Sequence, residues 1–556
     1  MLNRSLRVSA SIIAAAILGS LFVEAPAEAA KPQSAYYAAD SDGIFWFMHI
    51  SDTHVDTTSS TSEPQLKFAL GEAAHVIDPI AVFLTGDIVD GSKTQWGLAV
   101  PTSGQEESEW QLYQTILYDM NAEDPNWLFD SPGNHDAYDD NGLKFYLQYG
   151  LQGRTTETAL FADAVFTTKL GKYYFIATNA AGTYASPYSF GNPQFTHIDQ
   201  MEKGFNANSD AELAFVFAHH HLVPHGDTGA QNALKLPGIS IDDPPGNAAV
   251  ALNLFEKVGA FYLHGHVHQY KESMQGGVVT VQIGSCNKNE AIDRSSDKAF
   301  AETKFKANIG IGIVDHNAFV YGFTDTKNPW PMVAITAPVD KYLKGGGMPG
   351  GKQVFVDYEG DLLEYGVQKN PYAYDVCLDR VDNPVRAVVL SSTSVTSVTL
   401  SIDGSEVGTL EKVVPSSEEE QEGVYATTMN TKGLNPGEHK LTVTAKSAGK
   451  TRTDTITVNF TPGPCEPLVE PDPEPEPEPS ADAGSDGGSD NKPDGGTPDA
   501  PVDAEYDADD EEGVDDSSGC GCRVGGAADG GTYGGSYAGI AVLLGLGAIG
   551  LRRRRD

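Results

Sequence analysis

Five short stretches of this sequence set Asp, His and Asn at spacings suited to metal ligation. They are Asp52-x-His54, Gly86-Asp87-x-x-Asp90, Gly133-Asn134-His135-Asp136, His219-His220-His221 and Gly265-His266-x-His268. Carboxylate, amide oxygen and imidazole, with no cysteine among them, make a donor set for Mn, Fe, Zn or Co and not for a thiolate zinc site. The donors are too many for one ion. An Asp able to bridge would hold two ions about 3.5–4 Å apart, the arrangement used for in-line displacement at phosphorus.

Each stretch follows an apolar run. Ile44–Ile50 leads into Asp52, Ile80–Leu84 into Asp87, Trp127–Phe129 into Asn134, Leu213–Phe217 into His219 and Ala260–Leu263 into His266. Near-continuous apolar runs suit strands buried on both faces. Pro64–Ile77 carries Leu66, Leu70, Ala73, Ala74 and Ile77 at helical spacing, so strand and helix alternate. That pattern predicts an α/β domain, and ligands of such sheets gather beyond the carboxyl ends of the strands. Five polar clusters would thus converge. Trp110, Tyr113 and Leu117 are spaced for one face of a helix between Trp96 and Trp127, and they are read as core.

Taken together and in order, these blocks resemble the calcineurin-like metallophosphoesterases over about 290 residues. The resemblance implies a sandwich of two mixed β-sheets flanked by helices. It implies that Asp52, His54 and His268 hold a first metal, that Asn134, His219 and His266 hold a second, and that Asp87 bridges. A hydroxide activated by the ions would attack phosphorus. His135 would stabilise the developing charge or protonate the leaving oxygen, Asp136 would orient His135, and Asp90 would stand behind the ligands. His220 and His221 compete with His219, and the family places the ligand at the first His after the strand. His49 and His264 read as satisfied buried histidines, and His75, His197, His225, His316 and His439 as surface or core residues.

Departures narrow the field. Gly91 and Pro132 stand where protein Ser/Thr phosphatases place Arg, and Asp90 stands where purple acid phosphatases place Tyr. Asp-x-His with Gly-Asp-x-x-Asp is closer to the cyclic-nucleotide and glycerophosphodiester phosphodiesterases. The stretch from Ser92 to Tyr113 resembles a membrane-associated branch and adds no substrate. The expected function is an exported, surface-anchored dimetal hydrolase of phosphodiesters or phosphomonoesters. The alternative is a non-catalytic adhesin built on the same scaffold.

From about Ala337 the pattern changes to period two. Val388–Leu390, Ser397–Ile402, Gly423–Thr428, His439–Ala445 and Thr453–Phe460 read as strands, with Asp403-Gly404 a hairpin signal and Asn435-Pro-Gly437 a turn. An immunoglobulin-like sandwich over 337–465 is expected after a catalytic domain over 30–336. Cys377 and Cys465 bracket it, and export permits their pairing, which could add roughly 4–5 kcal/mol. Cys286 would stay a buried free thiol.

The formal charge of 37 − 77 = −40 argues against nucleic-acid binding through a basic surface. Residues 466–518 hold 20 Asp/Glu and one Lys, so much of the acidity sits in a Pro/Gly-rich stalk with no core. A basic start, the apolar run Val8–Val23 and Ala25–Ala30 read as a secretory signal peptide over 1–29. The last segment, 519–556, combines Cys520-Gly-Cys522, an uncharged run over 533–551 and Arg552–Arg555. It resembles the C-terminal sorting tails of myxobacterial surface proteins. The resemblance implies retention at the cell surface or outer membrane, through that helix or a lipid on Cys520 or Cys522.

Overall fold

The structure, a computed structural model, describes residues 43–463 apart from 95–100, 141, 157–159, 183–193, 223–246, 267, 269, 276, 288–307, 345–346, 349–351, 357–361, 366–367, 379 and 416–420. The expected signal peptide, stalk and sorting tail, together with His225 and Cys465, lie outside these residues. Among the described residues no helix is long and apolar enough to cross a membrane.

Two mixed sheets form the first part. One has the order Ala318–Thr324, Ile309–Asp315, Ile44–Ile50, Val82–Thr85, Leu128–Ser131, and its last three strands run parallel. The other has the order Lys271–Gln275, Val278–Gln282, Phe261–His264, Ala211–Phe217, Gly171–Thr178, Phe161–Thr168, with four parallel strands between antiparallel edges. Period two explains the apolar runs. Phe45 and Phe47 face the second sheet, whereas Ile44, Trp46, Met48 and Ile50 face the other side. Between the sheets lies an aromatic core, in which Phe83 stacks on Phe217 at 3.7 Å and Phe47 meets Phe175 edge-on at 5.5 Å.

Helical turns over Ser62–Ile77, with a π segment at Ala69–Ala73, and the helix Glu107–Asp119 cover the outer face of the first sheet. Asp78 ends the former in a left-handed conformation, φ 50°, one residue before Pro79. Trp110, Tyr113 and Leu117 are fully buried, as their spacing predicted. Helices Ile198–Ala207 and Ala248–Val258 cover the second sheet. This is the expected mixed α/β metallophosphoesterase-like architecture.

The C-terminal part packs two β-sheets face to face. Met332–Ala337, Asn383–Leu390, Val424–Met429 and Glu411–Lys412 form one; Val376–Cys377, Lys450–Thr461, Gly437–Ser447, Val395–Ile402 and Ser405–Thr409 form the other. Alternate residues Val398, Leu400, Ile402, Leu441, Val443, Ile456 and Val458 fill the space between them. Asp403 and Gly404 take φ of 50° and 82°, the left-handed pair that a two-residue hairpin turn requires. Met332–Ala337 pairs with Asn383–Leu390, so this unit takes in residues that the change of period assigned to the preceding domain. A further three-stranded sheet, Gly347–Met348, Lys352–Val356 and Leu362–Tyr365, was not anticipated. Cys377 is disulfide-bonded and Cys286 is a buried free thiol.

The sandwich also completes the first sheet's outer core. Met332, Ala334, Val388, Leu390 and Val424 join Trp46, Ile311 and Ile313 in one cluster. Gln421 accepts from the Trp46 N–H at 2.7 Å, and the buried Arg386 grips the buried Asp315 through Nε and Nη2 at 2.8–3.1 Å.

Candidate metal centre

The parallel strands bring their carboxyl ends to one place. Beyond the strands the pairing continues: Asp52 N–H donates to Gly86 O and His54 N–H to Asp87 O, both at 2.9 Å. The loops then turn sharply. Asp52, His54, Asp87, His266 and His268 all adopt positive φ, from 42° to 79°. Such backbone disfavours residues with a Cβ by on the order of 1–3 kcal/mol each and persists only where the surroundings dictate it. Here it breaks the extended course of the chain just past the strand ends, where the donors gather. Gly133 and Gly265 permit the close approach: a Cβ on Gly133 would overlap the Asp87 carboxylate, and one on Gly265 the Asp52 carboxylate.

Three groups of donor atoms result: Asp52, His54 and His268; Asp87, His219 and His266; and His54, Asp87 and His135. In the first, His268 Nε2 lies 3.2 Å from Asp52 Oδ1 and 3.1 Å from His54 Nε2. In the second, His219 Nε2 lies 3.2 Å from Asp87 Oδ2, 3.2 Å from His266 Nδ1 and 3.1 Å from Asn134 Oδ1. Asp87 Oδ2 is also 3.8 Å from His54 Nε2, so one carboxylate lies between the first two groups. The donors fit divalent or trivalent cations: oxygens and imidazole nitrogens converge on two points, and nitrogens face nitrogens as neutral hydrogen-bond partners rarely do.

The electrostatics agree. Burial alone would raise the Asp52 and Asp87 carboxyls, yet the neighbouring imidazoles (His268 at Asp52, His219 and His135 at Asp87) hold both well below the usual range. Burial lowers His219, but the Asp87 carboxylate overcomes it and pushes the imidazole up to about 9. Burial, with the charge of His219 beside it, takes His266 down to about 3, leaving a neutral nitrogen donor. A cation held by Asp87 and His219 would displace the proton that the carboxylate favours on His219, so metal binding there would release it.

Neighbouring groups orient the donors. Asn134 Nδ2 donates to Tyr138 Oη at 2.8 Å, which turns its amide oxygen toward His219. His219 Nδ1 meets Thr85 O at 2.7 Å. Asp90 Oδ1 lies 3.3 Å from His54 Nδ1. Sequence reasoning gave no role to Tyr138 or Thr85, and nothing in their local pattern signals one.

Asp136 differs from expectation. Its carboxylate does not orient the His135 ring; it accepts the backbone N–H groups of Gly133, Ile88 and Val89 at 2.7–3.1 Å and so ties two ligand loops together. Burial and then the charge of Asp87 push its carboxyl up to about 7. His135 Nδ1 is held instead by the Asp90 carbonyl oxygen at 2.5 Å, and its Nε2 lies 3.8 Å from Asp87 Oδ2. The reason is geometric: a buried carboxylate three residues into a tight turn finds the backbone N–H groups of that turn before it reaches a side chain pointing into the cleft.

Of the remaining histidines, His49 bonds Tyr321 Oη and Thr85 Oγ1 at 2.8 and 2.9 Å inside the core. His264 is buried against the Gly265 carbonyl. His220 and His221 are buried outside the three donor groups, and burial drives His220 well below the usual range.

Residues 45–270 match the family model of the calcineurin-like phosphoesterases. The chain carries a calcineurin-like metallophosphoesterase domain. It is similar to Transmembrane protein 62 of Mus musculus, with 25% identity over 427 residues, 75% of this chain and 55% of that protein. The chain thus spans about half the length of that curated relative. Among solved structures it is similar to GAP50, the anchor in the inner membrane complex of Plasmodium, at 13% identity over 52% of this chain and 86% of that one. The TM-score there is 0.31.

Proposed function

We propose that this chain is an exported, surface-anchored hydrolase of phosphoester bonds that uses two metal ions. The observation that carries the reading is the Asp87 carboxylate lying between two clusters of imidazole and carboxylate donors, with His135 beside it. Asp52, His54 and His268 would hold one ion, Asn134, His219 and His266 the other, and Asp87 both. Bound there, Mn, Fe, Zn or Co would supply Lewis acidity toward a phosphoryl oxygen and toward water.

The remaining steps belong to side chains. With the Asp90 carbonyl on Nδ1, His135 carries its proton there in the neutral ring and turns Nε2 to the cleft. Once protonated, Nε2 would donate to the leaving oxygen. Asp136, by fastening the Gly133 turn to Ile88 and Val89, would keep Asn134 and His135 in register with Asp87. Gly91 and Pro132, in place of the Arg pair of protein phosphatases, favour small phosphodiesters or phosphomonoesters as substrates. The C-terminal sandwich would be an immunoglobulin-like module that covers the catalytic domain. The signal peptide, stalk and tail would carry both to the cell surface.

The decisive assay loads the purified protein with each metal and compares bis-p-nitrophenyl phosphate with p-nitrophenyl phosphate. Metal-dependent turnover that Asp87→Asn abolishes is expected. Turnover of neither ester, or turnover indifferent to Asp87→Asn, would leave the scaffold as a binding module.

A further inference from the structure

The peptide unit joining Asp90 to Gly91 is held from both sides. Its carbonyl oxygen lies 2.5 Å from His135 Nδ1, and its N–H donates to Glu109 Oε2 at 3.1 Å. Glu109 comes from the helix Glu107–Asp119, which supplies none of the donors and whose other buried residues, Trp110, Tyr113, Ile116 and Leu117, are core. Its side chain is 1% exposed, an unusual place for a carboxyl unless it has a task. A second contact from the same segment reaches the same loop. Gln105 Nε2 donates to His135 O and Tyr138 O at 2.7 and 3.2 Å, while Gln105 Oε1 accepts the Trp110 indole N–H at 2.8 Å. Gly91 leaves room for this arrangement: it stands at φ 59°, where a Cβ would meet the His135 carbonyl oxygen at 2.5 Å.

We propose that Glu109 is a positioning residue for His135, acting through the Asp90–Gly91 peptide and resting on the hydrolase reading above. An acceptor on the N–H fixes the plane of that peptide and polarises it, which makes its carbonyl a better partner for His135 Nδ1–H. The ring is then held in one tautomer with Nε2 in the cleft. Because the Asp90 carboxylate also lies 3.3 Å from His54 Nδ1, a shift of this peptide would be felt at two site histidines. Burial, opposed by the Gly91 N–H and aided by the charges of Asp90, Asp56 and Glu106, pushes the Glu109 carboxyl up to about 9. Near neutral pH it is therefore an uncharged acceptor, which a glutamine can imitate.

The test uses the full chain with Glu109→Leu, Glu109→Gln and Glu109→Asp. The first measurement is amide hydrogen exchange of the metal-free protein. Glu109→Leu should speed exchange across 88–91 and also across 133–138, while Glu109→Gln should match the wild type. Unchanged exchange across 133–138 in Glu109→Leu overturns the proposal, whether or not the chain hydrolyses any ester. The second is turnover of the metal-loaded protein on phenyl and p-nitrophenyl esters of phosphate, at equal metal content. A mispositioned acid should lower kcat about 10-fold or more on the phenyl ester, which needs protonation of its leaving group, and less on the other. KM should hold and Glu109→Gln should restore the rate. Equal loss on both esters, or loss in Glu109→Gln as large as in Glu109→Leu, counts against it. Should Glu109→Leu not fold, Glu109→Asp withdraws the carboxyl by one methylene and should show the same pattern, weaker. A wild type inactive on every ester defeats the hydrolase reading alone, since exchange still decides the role of Glu109.

Discussion

The Nε2 atoms of His54 and His268 face each other across 3.1 Å, in a cleft that also holds the Asp52 carboxylate. Two nitrogens each ~2.0–2.1 Å from one cation lie about 3 Å apart. The spacing therefore suits a shared ion, and it makes the centre a source of stability as well as chemistry.

Metal should raise the melting temperature of the chelator-treated protein. At a free concentration 100 times Kd the gain is about 2.7 kcal/mol per site. His268→Ala should remove most of the gain from one site and lower bound metal by one equivalent, read by elemental mass spectrometry. Full loading in His268→Ala would contradict the geometry.

His219 and His220 separate cleanly. His219→Gln should cost one equivalent of metal, because Nε2 sits 3.2 Å from Asp87 Oδ2. His220→Gln should retain both equivalents, because its ring lies outside every donor group. The reverse result would exchange their assignments.

Asp315 and Arg386 bind the sandwich to the first sheet. Arg386→Leu leaves a buried carboxylate without its partner and should cost about 3–5 kcal/mol, while adding Asp315→Leu should recover much of that. Burial would raise the Asp315 carboxyl, but Arg386 and His316 hold it well below its usual range. Its contribution is therefore complete above about pH 4 and drains away as pH falls through the folded-state value. Denaturant midpoints of the wild type and the two variants between pH 2.5 and 6 measure both effects.

Glu272 gives the opposite slope. Burial pushes it up to about 7 despite hydrogen bonds from Tyr270 Oη–H and the Lys344 N–H and the nearby Lys344 ammonium, and Asp340 is raised to about 6 in the same cluster. Between about pH 4.5 and 7 the folded chain keeps a proton that the unfolded chain releases, so stability falls as pH rises through that window and then levels off. The Glu272 share is on the order of 3 kcal/mol. Urea unfolding of metal-free protein at pH 5 and 7.5 should show the fall, and Glu272→Gln should flatten it. A wild type as steep as Glu272→Gln would remove the assignment.

Much of the centre was legible in the chain because strand ends impose order. Asp52, Asp87, Asn134, His219 and His266 each follow an apolar run, and parallel strands carry whatever follows them to one edge. Residue type alone gave the donor chemistry, and period two gave the strands of the sandwich. What the sequence could not determine depends on contacts between distant segments. That Asp136 serves backbone N–H groups, and that the Asp90 carbonyl holds His135, follows from how two turns meet, 45–48 residues apart in sequence. The tie from Glu109 to the Asp90–Gly91 peptide, and the sandwich residues that close the core over Trp46, are set the same way. Local pattern records which face of an element is apolar and which residues can bind. Only the tertiary structure decides which hydrogen-bonding groups come within reach, because those partners are chosen by packing across the whole chain.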